Sequence, residues 1–291
     1  MNSSSPLPSA DVFPHPGSSL YYALATAPAG RGAALRLWLQ WWHETAEIPF
    51  KIHDPGVAET KLRWWLQELQ DAAKGQAHHP LIKSLLSEAA IQAPGRLPDW
   101  PLWTSQIEGL LTLVHQTRWL DDTSLQRHAQ QTTGAACEGA ACLLGAHSEA
   151  ARQAARQLGW GLRQAHQLAR IGQDARAGWV QVGIDVLQAH DVKAHQLSKP
   201  DKSLPPEGWP ALLQHLHKQA AHKLQAGLQA CHALPAKEMR ALLPLRVLAH
   251  LHLQLINEVA GQGDRVLHER IVLTPLRKWW VAQRVRWGLL R

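Results

Sequence analysis

Apolar side chains return at helical spacing through most of this chain, and Pro, Gly and small polar residues separate the runs. The pattern predicts helices over about 30–46, 56–74, 79–92, 104–117, 122–145, 148–172, 208–233, 236–261 and 266–289. Asp54-Pro55 and Ser148-Glu149 supply a capping side chain where two of these begin, and Pro55 suits the first helical position. The most linker-like interior stretch is 199–206, and no repeat period is visible. No segment alternates apolar and polar residues for long enough to predict a strand. The expected architecture is all-α, with one domain over 18–291. Residues 1–17 are rich in Ser and Pro and lack the basic start and apolar run of a signal peptide. They read as a disordered leader.

Composition sharpens this picture. Leu, Ala, Gln, Arg and Trp dominate and β-branched residues are sparse, which favours helices. Fourteen tryptophans against two Phe and two Tyr make Trp the bulky filler of the core. The formal charge of +7 leaves 18 histidines uncounted, so the surface is basic. That suits phosphate-bearing ligands or an anionic membrane. A nucleic-acid partner is not expected, since no recognition motif is present. Cys137, Cys142 and Cys231 form no paired framework and read as small buried residues of a reducing, cytoplasmic compartment. No apolar run is long enough to span a bilayer. His250 and His252 diverge on a helix, and His215 and His222 lack a third partner, so no histidine metal site is expected. Phosphate-loop, nucleophile-elbow and dinucleotide fingerprints are missing.

Four segments carry candidate chemistry. Ser18-Ser19-Leu20-Tyr21-Tyr22-Ala23 precedes Pro28-Ala29-Gly30-Arg31 and then Leu35-Arg36-Leu37-Trp38 and Trp41-Trp42-His43-Glu44. Hydroxyls and a planar guanidinium are groups that grip phosphate oxygens. Glu44 and Glu47, three apart, share a helix face, while Pro49 ends or kinks the helix behind them. Lys61-Leu62-Arg63-Trp64-Trp65 runs on to Glu68-Leu69, with Trp64 and Trp65 expected to pack inward and Glu68 to pair with a base. Arg170-Ile171-Gly172-Gln173-Asp174-Ala175 leads to Gly178-Trp179. The basic, tryptophan-bearing end 275–291 suits an anionic membrane surface, making the protein peripheral there.

In order and spacing these segments resemble the squalene/phytoene synthase family. The resemblance implies an isoprenoid synthase helical bundle around a central apolar cavity. Intact members condense two prenyl diphosphates head to head, using Mg²⁺ held by two aspartate motifs. It further implies that Ser19, Tyr22 and Arg31 help hold diphosphate. The first motif's aspartate positions hold Ala46, Glu47 and Phe50, with Glu44 a turn earlier. The second motif keeps Asp174, Ala175 and Gly178 but has Arg170 at its first aspartate. Arg163 and His166 stand where the family commonly has Gln and Asn, and His128 where it has Tyr. Small residues at Gly134, Ala135, Ala136, Gly139, Ala140 and Ala141 make room for a close neighbour or a prenyl chain.

The exchange at Arg170 decides the expectation. Two unit positive charges ~5 Å apart repel by roughly 3 kcal/mol at an effective dielectric of 20, and Mg²⁺ doubles it. Arg163, Arg170 and Arg176 are then candidates to bind phosphate directly, without metal. The reading is a protein that keeps a prenyl-diphosphate or lipid cavity, has lost ordinary magnesium-dependent condensation, and acts as a binding or assembly factor. The alternative is an active prenyltransferase of the family's type with a rebuilt site. It would use Glu44, Glu47 and Asp174 as catalytic acids or metal ligands, with Mg²⁺ as cofactor and Arg31, Arg163 or Arg170 for diphosphate.

Overall fold

The computed structural model describes residues 13–93, 98–201 and 203–290. Helices α1 (Ser19–Leu24), α2 (Gly32–Ala46), α3 (Ile48–Lys51), α4 (Pro55–Ala73), α5 (Pro80–Gln92) and α6 (Trp100–His115) come first. Strand β1 (Arg118–Trp119), α7 (Asp122–Ala129), a π-helical turn (Gln130–Gly134), α8 (Ala135–Leu144), α9 (Glu149–Leu168) and α10 (Ile171–Arg176) follow. Then come β2 (Val180–Gly183), α11 (Ile184–Ala189), α12 (Ala194–Ser198), α13 (Trp209–His232), α14 (Ala236–Ala241), α15 (Leu243–Gln262), α16 (Arg265–His268) and α17 (Pro275–Arg286). The fold is all-α apart from a minimal parallel pair of β1 with β2.

Side-chain caps set many boundaries. The carboxylates of Asp54, Asp99 and Asp121 and the hydroxyls of Ser18, Ser148 and Thr274 each accept an N–H of the first turn. Asp99 starts α6 four residues ahead of the expected position, because Pro101 sits where a missing N–H costs nothing. Pro49 behaves as expected: α2 stops at Ala46 and a separate turn, α3, carries the proline. The stretch expected as one helix over 266–289 is instead α16, an extended segment and α17, with Pro275 opening the latter. The leader assignment is narrowed. Residues 1–12 lie outside the described residues, whereas Phe13 stacks on His43 at 5.2 Å and Pro14 is buried.

Helix α9 is central, packing against α8, α13 and α15. A Cβ added to Gly161 would lie 2.9 Å from Leu224, and one on Gly227 only 2.6 Å from Leu158, so α9 and α13 approach backbone to side chain. Tryptophan fills the core as composition implied, but not uniformly. Trp38, Trp41 and Trp103 form a buried triad with ring centroids 4.9–5.8 Å apart. Gly139 meets Trp38 so closely that an added Cβ would be 2.3 Å from the ring. The small residues of α8 therefore accommodate an indole and close helix packing. Trp65 points inward, but Trp64, one residue earlier and ~100° round the helix, is exposed. Glu68 is buried and accepts the backbone N–H groups of His78 and His79, both at 2.8 Å, in place of a basic partner. Cys137 and Cys231 are buried, and burial pushes both thiols up to about 12.

Candidate functional site

The two segments that resemble acidic motifs face each other, joined by an aromatic and a cation. Phe50 of α3 lies 4.9 Å from Trp179, centroid to centroid, and the Arg163 guanidinium sits over the Phe50 ring at 5.8 Å. Arg163 projects from α9, donates to Gln181 Oε1 at 3.2 Å, and leaves its Nε buried with no hydrogen-bond partner among the described residues. Gln167 holds the same Gln181 oxygen at 2.9 Å. Burial pulls the Arg163 pKa down to about 10, with Arg170 adding repulsion and Asp174 opposing it.

At the α9–α10 joint, Arg170 Nε donates to Asp174 Oδ1 at 3.1 Å. Burial pushes the Asp174 carboxyl up, against the pull of Arg170, Arg163 and Arg270. Arg270, on the extended segment before α17, has an exposed side chain and feels both Arg170 and Asp174. His166 is held neutral well below its ordinary range by burial, then by Arg163, Arg170, His252 and Arg270. Lys278 is likewise lowered by burial and Arg270, and its Nζ donates to the Gly17 carbonyl at 3.0 Å. One carboxylate thus sits among three arginines. Uncompensated guanidinium charge in a partly dry site is a demand for an anion.

The other expected residues divide. Glu44 is exposed and accepts from Gln40 at 2.9 Å, while Glu47 pairs with Lys51 at 2.5 Å and His43 at 3.4 Å. Both serve the surface of their own helix. Ser19 and Tyr22 lie half-buried on α1, which packs on α15 and α17; the cap itself is Ser18. Arg31 is elsewhere. It donates to the Leu143 carbonyl at 2.8 Å and lines a cavity of about 290 Å³ with Gln92, Asp99, Trp103 and Arg152. Arg176 does not join the site either, because its guanidinium is spent on the Leu267 and His268 carbonyls. Ala175 and Gly178 persist for packing and turn geometry: Ala175 is buried and Gly178 has φ +95°.

These donors do not fit a magnesium cluster. Asp174 is committed to Arg170, Glu47 to Lys51, and no group of three His, Cys, Asp or Glu that could hold a metal occurs among the described residues.

The family model described as squalene/phytoene synthase matches residues 13–277. The chain belongs to the squalene/phytoene synthase family. No curated protein sequence matches it. Among solved structures, a dehydrosqualene synthase in complex with ligand superposes with a TM-score of 0.75 at 16% identity, covering 93% of this chain and 91% of that one. YisP from Bacillus subtilis subsp. subtilis strain 168 gives 0.63 at 15% identity, covering 91% and 89%. The squalene synthase HpnC from Alicyclobacillus acidocaldarius gives 0.62 at 13%, covering 83% and 98%. At such identities the likeness establishes the isoprenoid synthase fold.

Sequence reasoning singled out Arg163, Arg170 and Asp174 and put Phe50 at a first-motif position, but it did not single out Arg270 or Lys278 as neighbours of that cluster. The signal for Arg270 was Thr274-Pro275, a cap and first-turn proline that require extended chain just before α17.

Proposed function

We propose that this family member binds a prenyl diphosphate, or a lipid with a similar anionic head, through arginines and without magnesium. On this reading it does not carry out ordinary head-to-head condensation and works as a binding or assembly factor. The observation that carries it is Arg170 occupying the aspartate position and holding Asp174 at 3.1 Å, with Arg163 and Arg270 beside the pair. Each charge-assisted hydrogen bond from guanidinium to phosphate contributes on the order of 1.5–3 kcal/mol. Arg163 and Arg270 are placed to supply such bonds, and Arg170 can exchange its carboxylate for a phosphate oxygen.

The test is calorimetric titration with farnesyl diphosphate in EDTA and in Mg²⁺, beside a pyrophosphate-release assay. Equal affinity in both buffers, lost in Arg163→Met and Arg270→Met, with no pyrophosphate release, supports the reading. Magnesium-dependent pyrophosphate release at an enzyme-like rate, abolished in both Asp174→Ala and Glu47→Ala, would establish the rebuilt synthase instead.

A further inference from the structure

The last helix carries apolar side chains on both of its faces. Val281, Ala282 and Val285 are buried, and α17 packs through them on α15 and α1. The outward face is not polar. Leu276, Trp279, Trp280 and Trp287 are 75%, 43%, 49% and 58% exposed. At about 100° per residue they fall within an arc of roughly 100°, so they form one stripe. The three indoles touch in series, with centroids 6.2 Å apart from Trp279 to Trp280 and again from Trp280 to Trp287. Val272 before the helix and Leu289 after it extend the exposed apolar surface.

Charge flanks the stripe. From Arg270 to Arg291 the chain has six basic residues and no acidic one. Arg277 is paired with Glu258 from α15, and Lys278 turns inward to Gly17. Arg286 is exposed and Arg284 half-buried, one on each side of the stripe, and neither has an ion-pair partner among the described residues. Indole rings edged by guanidinium groups match the boundary between lipid headgroups and acyl chains. There the ring is half in apolar surroundings and the cation meets lipid phosphate. A protein partner or a second copy would need acidic groups to meet these cations, and the stripe itself has none. No helix among the described residues is long and apolar enough to cross a membrane, so the contact is with the surface.

We infer that the outer face of α17 docks this protein on an anionic lipid bilayer through Trp279, Trp280 and Trp287, with Arg284 and Arg286 meeting the headgroups. The same segment carries Arg270 beside Arg170 and Asp174, and Lys278 beside Arg270, so docking places the arginine cluster near the lipid. The inference stands whether or not prenyl diphosphate is the ligand.

The experiment is flotation of the full chain with vesicles of phosphatidylcholine alone or mixed with phosphatidylglycerol, together with quenching of tryptophan fluorescence by brominated acyl chains. Expected are binding to the phosphatidylglycerol vesicles that weakens as salt rises, and quenching that disappears in the triple variant Trp279→Ser/Trp280→Ser/Trp287→Ser. Arg284→Gln/Arg286→Gln should partition roughly 30-fold more weakly. Circular dichroism of both variants should match the unaltered chain, since the altered side chains lie outside the core. Absence of flotation with anionic vesicles at low salt overturns the inference, as does equal binding to neutral vesicles. So does a concentration-dependent dimer that the triple serine variant dissolves while vesicles are ignored.

Discussion

Acidification should unfold this protein through two buried histidines. His128 is 5% exposed, with Nε2 3.0 Å from the Gly109 carbonyl and its ring 4.9 Å from Trp119. Burial, and then nearby Arg163, lower its pKa from 6.5 to about 4. His250 is lowered to about 4 by burial, with Arg246, His232 and Arg284 adding to the effect. A folded pKa below the unfolded one means stability fully present above pH ~6.5 and lost as pH falls toward ~4. With these values each histidine costs about 1.8 kcal/mol between pH 7 and pH 5, so the pair costs about 3.6 kcal/mol. That is a large share of the roughly 5–15 kcal/mol that holds a domain together. His166 and His252 act in the same direction. Asp174 opposes them, because its raised pKa lets the native state take a proton first. The carboxyls of Glu59, Asp121 and Glu238 are lowered by their hydrogen bonds, so they too favour the folded state less as acid is added. Urea unfolding followed by circular dichroism at about pH 7 and pH 5 measures the loss. In His128→Gln, whose amide still reaches Gly109, the loss between the two pH values should shrink by about 1.8 kcal/mol. Parallel losses in this variant and the unaltered protein would refute the reasoning.

Two further outcomes follow from the site and the core. Burial, with arginine repulsion added to it, keeps His166 neutral; an anion bound beside Arg163, Arg170 and Arg270 offsets that repulsion, so binding should favour proton uptake and tighten as pH falls; titrations in buffers of different ionisation enthalpy count that proton. Gly139→Ala forces a methyl group within 2.3 Å of the Trp38 ring and should cost about 1–3 kcal/mol, read as a lower melting temperature with a preserved helical spectrum.

The bundle was legible because its causes are local. Caps at Asp54 and Ser148, the break at Pro49 and the apolar periodicity all act within a few residues, and the helices began or ended where those signals stood. The short elements between 177 and 208 left no comparable pattern. Strand β2 holds two rungs with β1, and its placement depends on a partner some sixty residues away in sequence. At the site, Arg170 and Asp174 were readable as a pair because they are four apart on a helical path. Arg270 was not, since it reaches the pair only through tertiary packing, as Phe50 reaches Arg163 and Trp179. Arg31, which fits the spacing of a phosphate-binding position, lies apart from that pair, with its guanidinium on the carbonyl of Leu143.

Helix α9, which carries Arg163 and His166, is keyed to its neighbours by glycine. A Cβ on Gly159 would fall 2.4 Å from the Thr133 carbonyl oxygen, and one on Gly161 2.9 Å from Leu224. The depth of those two side chains is therefore fixed by main-chain approach and owes little to their own chemistry. On such a frame the polar side chains that α9 turns inward can be exchanged without asking any helix to move.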